Sequence, residues 1–147
     1  MTRERKIHKW NLPLTYEPKI KPVRNGTCTQ TIRVGRKFNV GDLLRFYIWE
    51  GRPYRSKRET ITDYMQITTI FKCKIYPYGI MIDPPDGKAG VSYNPWYNLS
   101  ELARLDGMVP PTGNTLRDVL ISKNGQISKD GIEAQIIRWT REVNNDG

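Results

Sequence analysis

The feature that most constrains this chain is a period of two. From Leu43 to Trp49, Leu44, Phe46 and Ile48 fall on one side of an extended backbone while Arg45, Tyr47 and Trp49 fall on the other. A helix, at about 3.6 residues per turn, would scatter both sets around its circumference, so the segment is a strand with one apolar face. Thr27 to Val34 alternates in the same way, with Thr29, Thr31 and Arg33 opposite Cys28, Gln30, Ile32 and Val34. Met65 to Tyr76 sends Met65, Ile67, Phe71, Cys73 and Ile75 to one side. Strands of this kind are stable only in a sheet whose apolar face is covered.

The remaining elements follow from punctuation. A further strand is expected around Ile7 to Asn11, after which Pro13, Pro18 and Pro22 leave room for at most a turn or two of helix before the reversal at Asn25-Gly26. Asn39-Val40-Gly41-Asp42 reads as a turn, and Pro77 to Gly79 as a hairpin leading into Ile80, Met81 and Ile82. The stretch from Asp83 to Pro95 is dense in Gly, Pro and Asp and reads as loop. Asn98 to Asp106 is expected to be helical, with Asn98 and Glu101 at capping-box spacing and Gly107 as the stop, and Thr115 to Ser122 forms a second helix led by Asn114. Ala134 to Thr140 is the closing strand. The basic arm 1–9 and the tail 141–147 are expected to be flexible. At 147 residues this is a single α+β domain over 1–147, rich in strand, with two or three short helices, and small enough for its strands to form one barrel.

Charge narrows the partners. Twenty-four Lys and Arg against 15 Asp and Glu leave a formal charge of +9, which favours polyanions. No apolar run is long enough to span a membrane or to serve as a signal sequence, so a cytoplasmic protein with reduced Cys28 and Cys73 is expected. With His8 the only histidine, and no P-loop or GxGxxG, the sequence offers no His-based triad or metal site, and no cofactor is expected.

The densest basic cluster is Gly51 to Arg58, where Arg52, Arg55, Lys57 and Arg58 interleave with Pro53 and Tyr54. Guanidinium forks at Arg52 and Arg55 suit phosphate oxygens. Tyr47 and Trp49, on the polar face of the preceding strand, are either a stacking platform for unpaired bases or rings packed beneath a loop.

Gly26-Thr27-Cys28-Thr29-Gln30-Thr31-Ile32-Arg33, followed by Gly41-Asp42, resembles the ASCH family pattern G-x-K-x-x-[ET]-x-R with its GD turn. Leu102-Ala103-Arg104-Leu105-Asp106-Gly107-Met108 is similar to the family's helix ending in an acidic residue, and Ile136-Ile137-Arg138-Trp139 to its closing strand. The resemblance implies a small PUA-like β-barrel and work on RNA or a modified nucleotide held in a basic cavity. Some ASCH proteins are amidohydrolases on acetylcytidine, using a lysine, a threonine and a glutamate. By position these fall on Cys28, Thr31 and Asp106, so the amidohydrolase lacks its lysine; the alternative to binding is a hydrolase on a modified nucleoside, or a ribonuclease, carried by Thr31 and Asp106. A neutral thiol supplies no positive field beside a threonine nucleophile. Arg33, on the face of Thr31, either meets a phosphate or base edge or makes an ion pair with Asp42 or Asp106.

Overall fold

The computed structural model of the protein describes residues 6–52, 56–84 and 90–140, so the tail 141–147 and the first five residues of the basic arm lie outside the described residues. Eight strands form one mixed, open sheet: β1 (Lys9–Pro13), β2 (Gln30–Val34), β3 (Leu43–Trp49), β4 (Arg58–Thr60), β5 (Met65–Tyr76), β6 (Gly79–Ile82), β7 (Ser92–Pro95) and β8 (Ile132–Thr140). Three short helices accompany them, α1 (Ile20–Asn25), α2 (Ser100–Leu105) and α3 (Gly113–Asn124), with single 3-10 turns at Glu17–Lys19 and Trp96–Asn98. The α+β class and the helix count agree with the sequence reading.

Long β5 organises the sheet. One of its edges carries β8 from Gln66 to Ile75, while the other carries β3 at its start and β6 at its end. β1 runs parallel to β3, β4 forms a hairpin with β3, and β7 extends β6. β2 pairs only with β8, so its outer edge makes no ladder.

Neighbouring residues of β8 show that the sheet is covered on both sides. Ile136 belongs to a core made with Ile75, Ile80, Ala103, Leu116 and Leu120, under α2 and α3, whereas Ile137 belongs to a core made with Leu12, Val23, Phe38, Leu44 and Phe46. Each fully buried aliphatic side chain of this kind contributes about 1.5–3 kcal/mol relative to exposure. Asp42 ties the second core's rim together, accepting from the backbone N–H groups of His8 and Asn39 and from Trp10 Nε1.

Several boundaries differ from expectation. β1 begins and ends two residues later than Ile7 to Asn11, and β2 begins at Gln30 because Thr27 and Cys28 still serve the end of α1, where Cys28 N–H donates to Pro22 O. Asn98 does not cap α2; it lies in the preceding 3-10 turn and Leu99 occupies the cap without a side-chain bond, while Glu101 pairs with Arg104. α3 is capped by Thr112, whose hydroxyl accepts from Thr115 N–H, and not led by Asn114. β7 lies in the stretch from Asp83 to Pro95 read as loop, and β4, from Arg58 to Thr60, forms where no strand was expected.

Candidate functional site

The free edge of β2 borders a cavity of about 530 Å³. Its walls come from Pro13, Thr15 and Tyr16 at the end of β1, from Ile32, Arg33 and Val34, and from Val119, Ser122, Lys123 and Asn124 at the C-terminal end of α3. Tyr16 is fixed by its hydroxyl, which accepts from Val109 N–H and donates to Val109 O.

Arg33 is the central side chain of this site. Its Nη2 donates to Pro13 O at 2.9 Å, and its guanidinium carbon lies 5.8 Å from the centre of the Phe46 ring. Its Nε is shielded from solvent and has no hydrogen-bond partner. Burial draws the Arg33 pKa down to about 10, against the pull of the Asp106 carboxylate. Arg33 therefore stays a cation at neutral pH with one donor unsatisfied. It pairs with neither Asp42 nor Asp106, because Asp42 is taken by the β1 and turn donors and Asp106 by other partners.

Of those partners, Gln30 lies within the Gly26–Arg33 motif and Lys19 comes from a segment that the sequence does not single out. Asp106, 4% exposed, receives Lys19 Nζ at 3.2 Å, and Lys19 is itself only 1% exposed. Gln30 Nε2 donates to the second Asp106 oxygen at 3.2 Å, and Gln30 Oε1 accepts from Arg138 Nε at 2.9 Å. Gly107 makes this packing possible: its φ is +79, and a Cβ there would lie 3.2 Å from Lys19 Cγ and 3.3 Å from Cys28 Sγ. A lysine thus reaches the neighbourhood of Cys28 from a different segment. Nothing in Glu17-Pro18-Lys19 marks this residue in sequence, since a lysine between prolines ordinarily reads as solvated.

Lys123 completes the site. The residue is exposed, yet its ammonium lies in a setting that favours the neutral form. Burial is the main cause, the charges of Lys19 and Arg33 add to it, Asp106 opposes it, and the pKa falls to about 8. Arg33 and Lys123 therefore both border the cavity, while the Lys19–Asp106 pair lies buried behind it and does not line it.

The other sequence candidates separate. Thr31 is 1% exposed and does not line the cavity. Alternation along β2 puts it on the face opposite Gln30, and Gln30 is the residue that holds Asp106, so the strand stands between the expected threonine and acid. Cys28 is buried, and burial raises its thiol pKa despite Lys19 nearby, which leaves it protonated at neutral pH. Tyr47, Trp49 and Arg58 do gather: the Arg58 guanidinium carbon lies 4.5 Å and 5.2 Å from the two ring centres. Tyr47 is 9% exposed, so its ring is packed rather than presented as an open platform. Arg52 and Lys57 are exposed in the β3–β4 hairpin, where Ser56 Oγ donates to Arg52 O and Glu50 N–H donates to Lys57 O. None of Arg52, Lys57 and Arg58 lines the cavity, and Arg55 lies outside the described residues.

No group of three or more His, Cys, Asp and Glu side chains with metal-binding geometry occurs among the described residues, and no helix there is long and apolar enough to cross a membrane. Compared with family models, with curated proteins and with solved structures, the chain matches none.

Proposed function

We propose that the protein binds a phosphate-bearing ligand, a nucleotide or the end of an RNA strand, in the cavity beside β2. The observation that carries this reading is the Arg33 guanidinium in the wall of a cavity that also holds Lys123, a cation with no ion pair among the described residues and with an Nε that has nothing to donate to; because Nε is shielded as the side chain lies, the guanidinium turns towards the cavity when an anion binds. An unsatisfied buried donor on a charged group is costly, and an anion accepting from it removes that penalty. Lys123 adds a second positive charge. Thr15 and Ser122 line the same cavity and place hydroxyls where they can bond a sugar or a phosphate oxygen.

The resemblance of the β2 segment, the Gly41-Asp42 turn and the α2 end to ASCH motifs supports the same reading, and with it a PUA-like curl of the sheet. In that view Arg33 is the tie across the gap between β2 and β1, because it bonds Pro13 O where no ladder runs. The hairpin cations are not needed for this site.

Calorimetric titration tests the proposal. Cytidine monophosphate should bind where cytidine does not, and Lys123→Gln should weaken the nucleotide about 10- to 100-fold, the range for one charge-assisted hydrogen bond. Binding should also weaken as pH rises through about 8, where Lys123 loses its proton. Equal affinity for nucleotide and nucleoside, or no binding of either, would contradict it.

A further inference from the structure

The sheet carries a second concave surface, built from other residues. Partners across a ladder point to the same side, so the registers define its composition. Lys72 stands opposite Gln135, Lys74 stands between Glu133 and Met81, and Met81 stands opposite Tyr93. Tyr76, two residues beyond Lys74, falls on the same side. Around Ile70 and Ile137 this side is covered by the core under β1 and β3. From Lys72 onward it borders a cavity of about 760 Å³, which Arg36 and Lys37 of the β2–β3 connection also line.

Two features of this surface point to a ligand that is both charged and flat. Four cations line it, Arg36, Lys37, Lys72 and Lys74, against the carboxylates of Asp83 and Glu133. None of the four makes an ion pair among the described residues. Beside them, Tyr76 lies low over the backbone, with Lys74 Nζ 5.9 Å from its ring centre. Gly131 makes that posture possible: its φ is +83, and a Cβ there would lie 2.8 Å from Tyr76 Cε1 and 3.0 Å from Lys74 Cγ. The Tyr78 ring runs parallel to Tyr76, 7° from coplanar directions at 6.4 Å.

We propose that this face binds single-stranded nucleic acid, with phosphates at Arg36, Lys37, Lys72 and Lys74 and unpaired bases against Tyr76 and Met81. Unpaired bases offer π-faces to rings lying along a sheet, and a duplex keeps those faces inside its own stack. An acidic peptide would match the charges, but its carboxylates gain nothing from a ring, whereas every nucleotide brings a base to stack with each phosphate. The inference goes beyond the β2 cavity and uses none of its cations.

Fluorescence anisotropy with a labelled oligouridylate of about twelve nucleotides provides the test. Replacing Lys72 and Lys74 by Gln together should flatten the slope of log K against log salt by about 1.4, roughly 0.7 for each phosphate no longer neutralised. Tyr76→Leu should weaken binding about 5- to 100-fold and leave the slope unchanged. Arg36→Gln with Lys37→Gln, which leaves the sheet intact, should repeat the slope change and guards against misfolding of the strand variant. Saturating cytidine monophosphate should leave the strand bound. The inference is overturned if the charge variants keep the wild-type slope, if duplex RNA or polyglutamate competes as well as the single strand, or if the mononucleotide displaces it. Only the last result moves the strand to the β2 cavity, and absence of mononucleotide binding would sink the cavity reading alone.

Discussion

Arg33 and Lys123 lie beside the same charges and respond differently. Arg33, part-buried, remains charged with a pKa near 10, whereas Lys123, an exposed residue with its ammonium turned towards the site, falls to about 8. Because the folded pKa of Lys123 lies below the usual value of 10.5, the folded state binds fewer protons between about 8 and 10.5. The contribution of Lys123 to stability therefore rises with pH across that window and is least favourable below it. Lys123→Gln should thus be more stable than the wild type at pH 7, and the difference should shrink towards pH 10.5; denaturant titrations at the two pH values measure it. The cysteines give a second check. Burial raises both thiols, Cys73 to about 12, so neither should react with a thiol reagent in the native protein at pH 8, and both should react once it is unfolded. At this scale the sequence was a partial guide. Arg33 and Asp106 were visible as candidates, but Lys19, Gln30 and Lys123 were not, because burial of a lysine or a glutamine depends on partners remote in sequence.

Among elements, β2 does most to shape the site. Its alternation was legible from Thr27 onward and assigned Arg33 and Thr31 to one face and Gln30 to the other. That same alternation separates Thr31 from Asp106, a consequence that could be drawn only once α2 was known to pack on the Gln30 side. The contact between the 3-10 turn at Glu17–Lys19 and the end of α2 rests on the Lys19–Asp106 pair. Removing one member of a buried ion pair leaves the other charged and unpartnered, so Lys19→Met should lower stability by about 3–5 kcal/mol. Lys19→Met combined with Asp106→Leu should be less destabilised than the sum of the two single variants, and a double-mutant cycle in urea reads that coupling directly. β3 was legible because it buries one clear apolar stripe. β5 was legible as a strand, but its expected single stripe divides: Met65 and Ile67 enter the core of Leu44 and Phe46, whereas Phe71, Cys73 and Ile75 face the core under α2 and α3, because the register shifts between Ile67 and Thr69. β4 was not, since Arg58, Glu59 and Thr60 are all exposed and its strand character comes only from pairing with β3. The same holds for β7, which is an edge strand with its Ser92 and Tyr93 exposed.

In the whole molecule, the positive charge is distributed over distinct surfaces. One group of cations lines the gap at the β2 edge, another borders the uncovered end of the β5 and β8 face, and Arg52, Lys57 and Arg58 lie on the β3–β4 hairpin. The net charge forecast an affinity for polyanions but not this partition, which follows from which ends of a twisted, open sheet the helices leave uncovered. On this account the Arg33 Nε, shielded and unpartnered in the free protein, turns to donate to the ligand's phosphate when an anion enters the cavity. Proton–nitrogen correlation spectra of the Arg33 Nε–H, assigned by its disappearance in Arg33→Lys, observe that atom during titration with cytidine monophosphate. A saturable downfield shift of this resonance with nucleotide, and none with cytidine, is the expected result. A resonance that stays in place while the nucleotide binds elsewhere, or when it does not bind at all, would contradict the account.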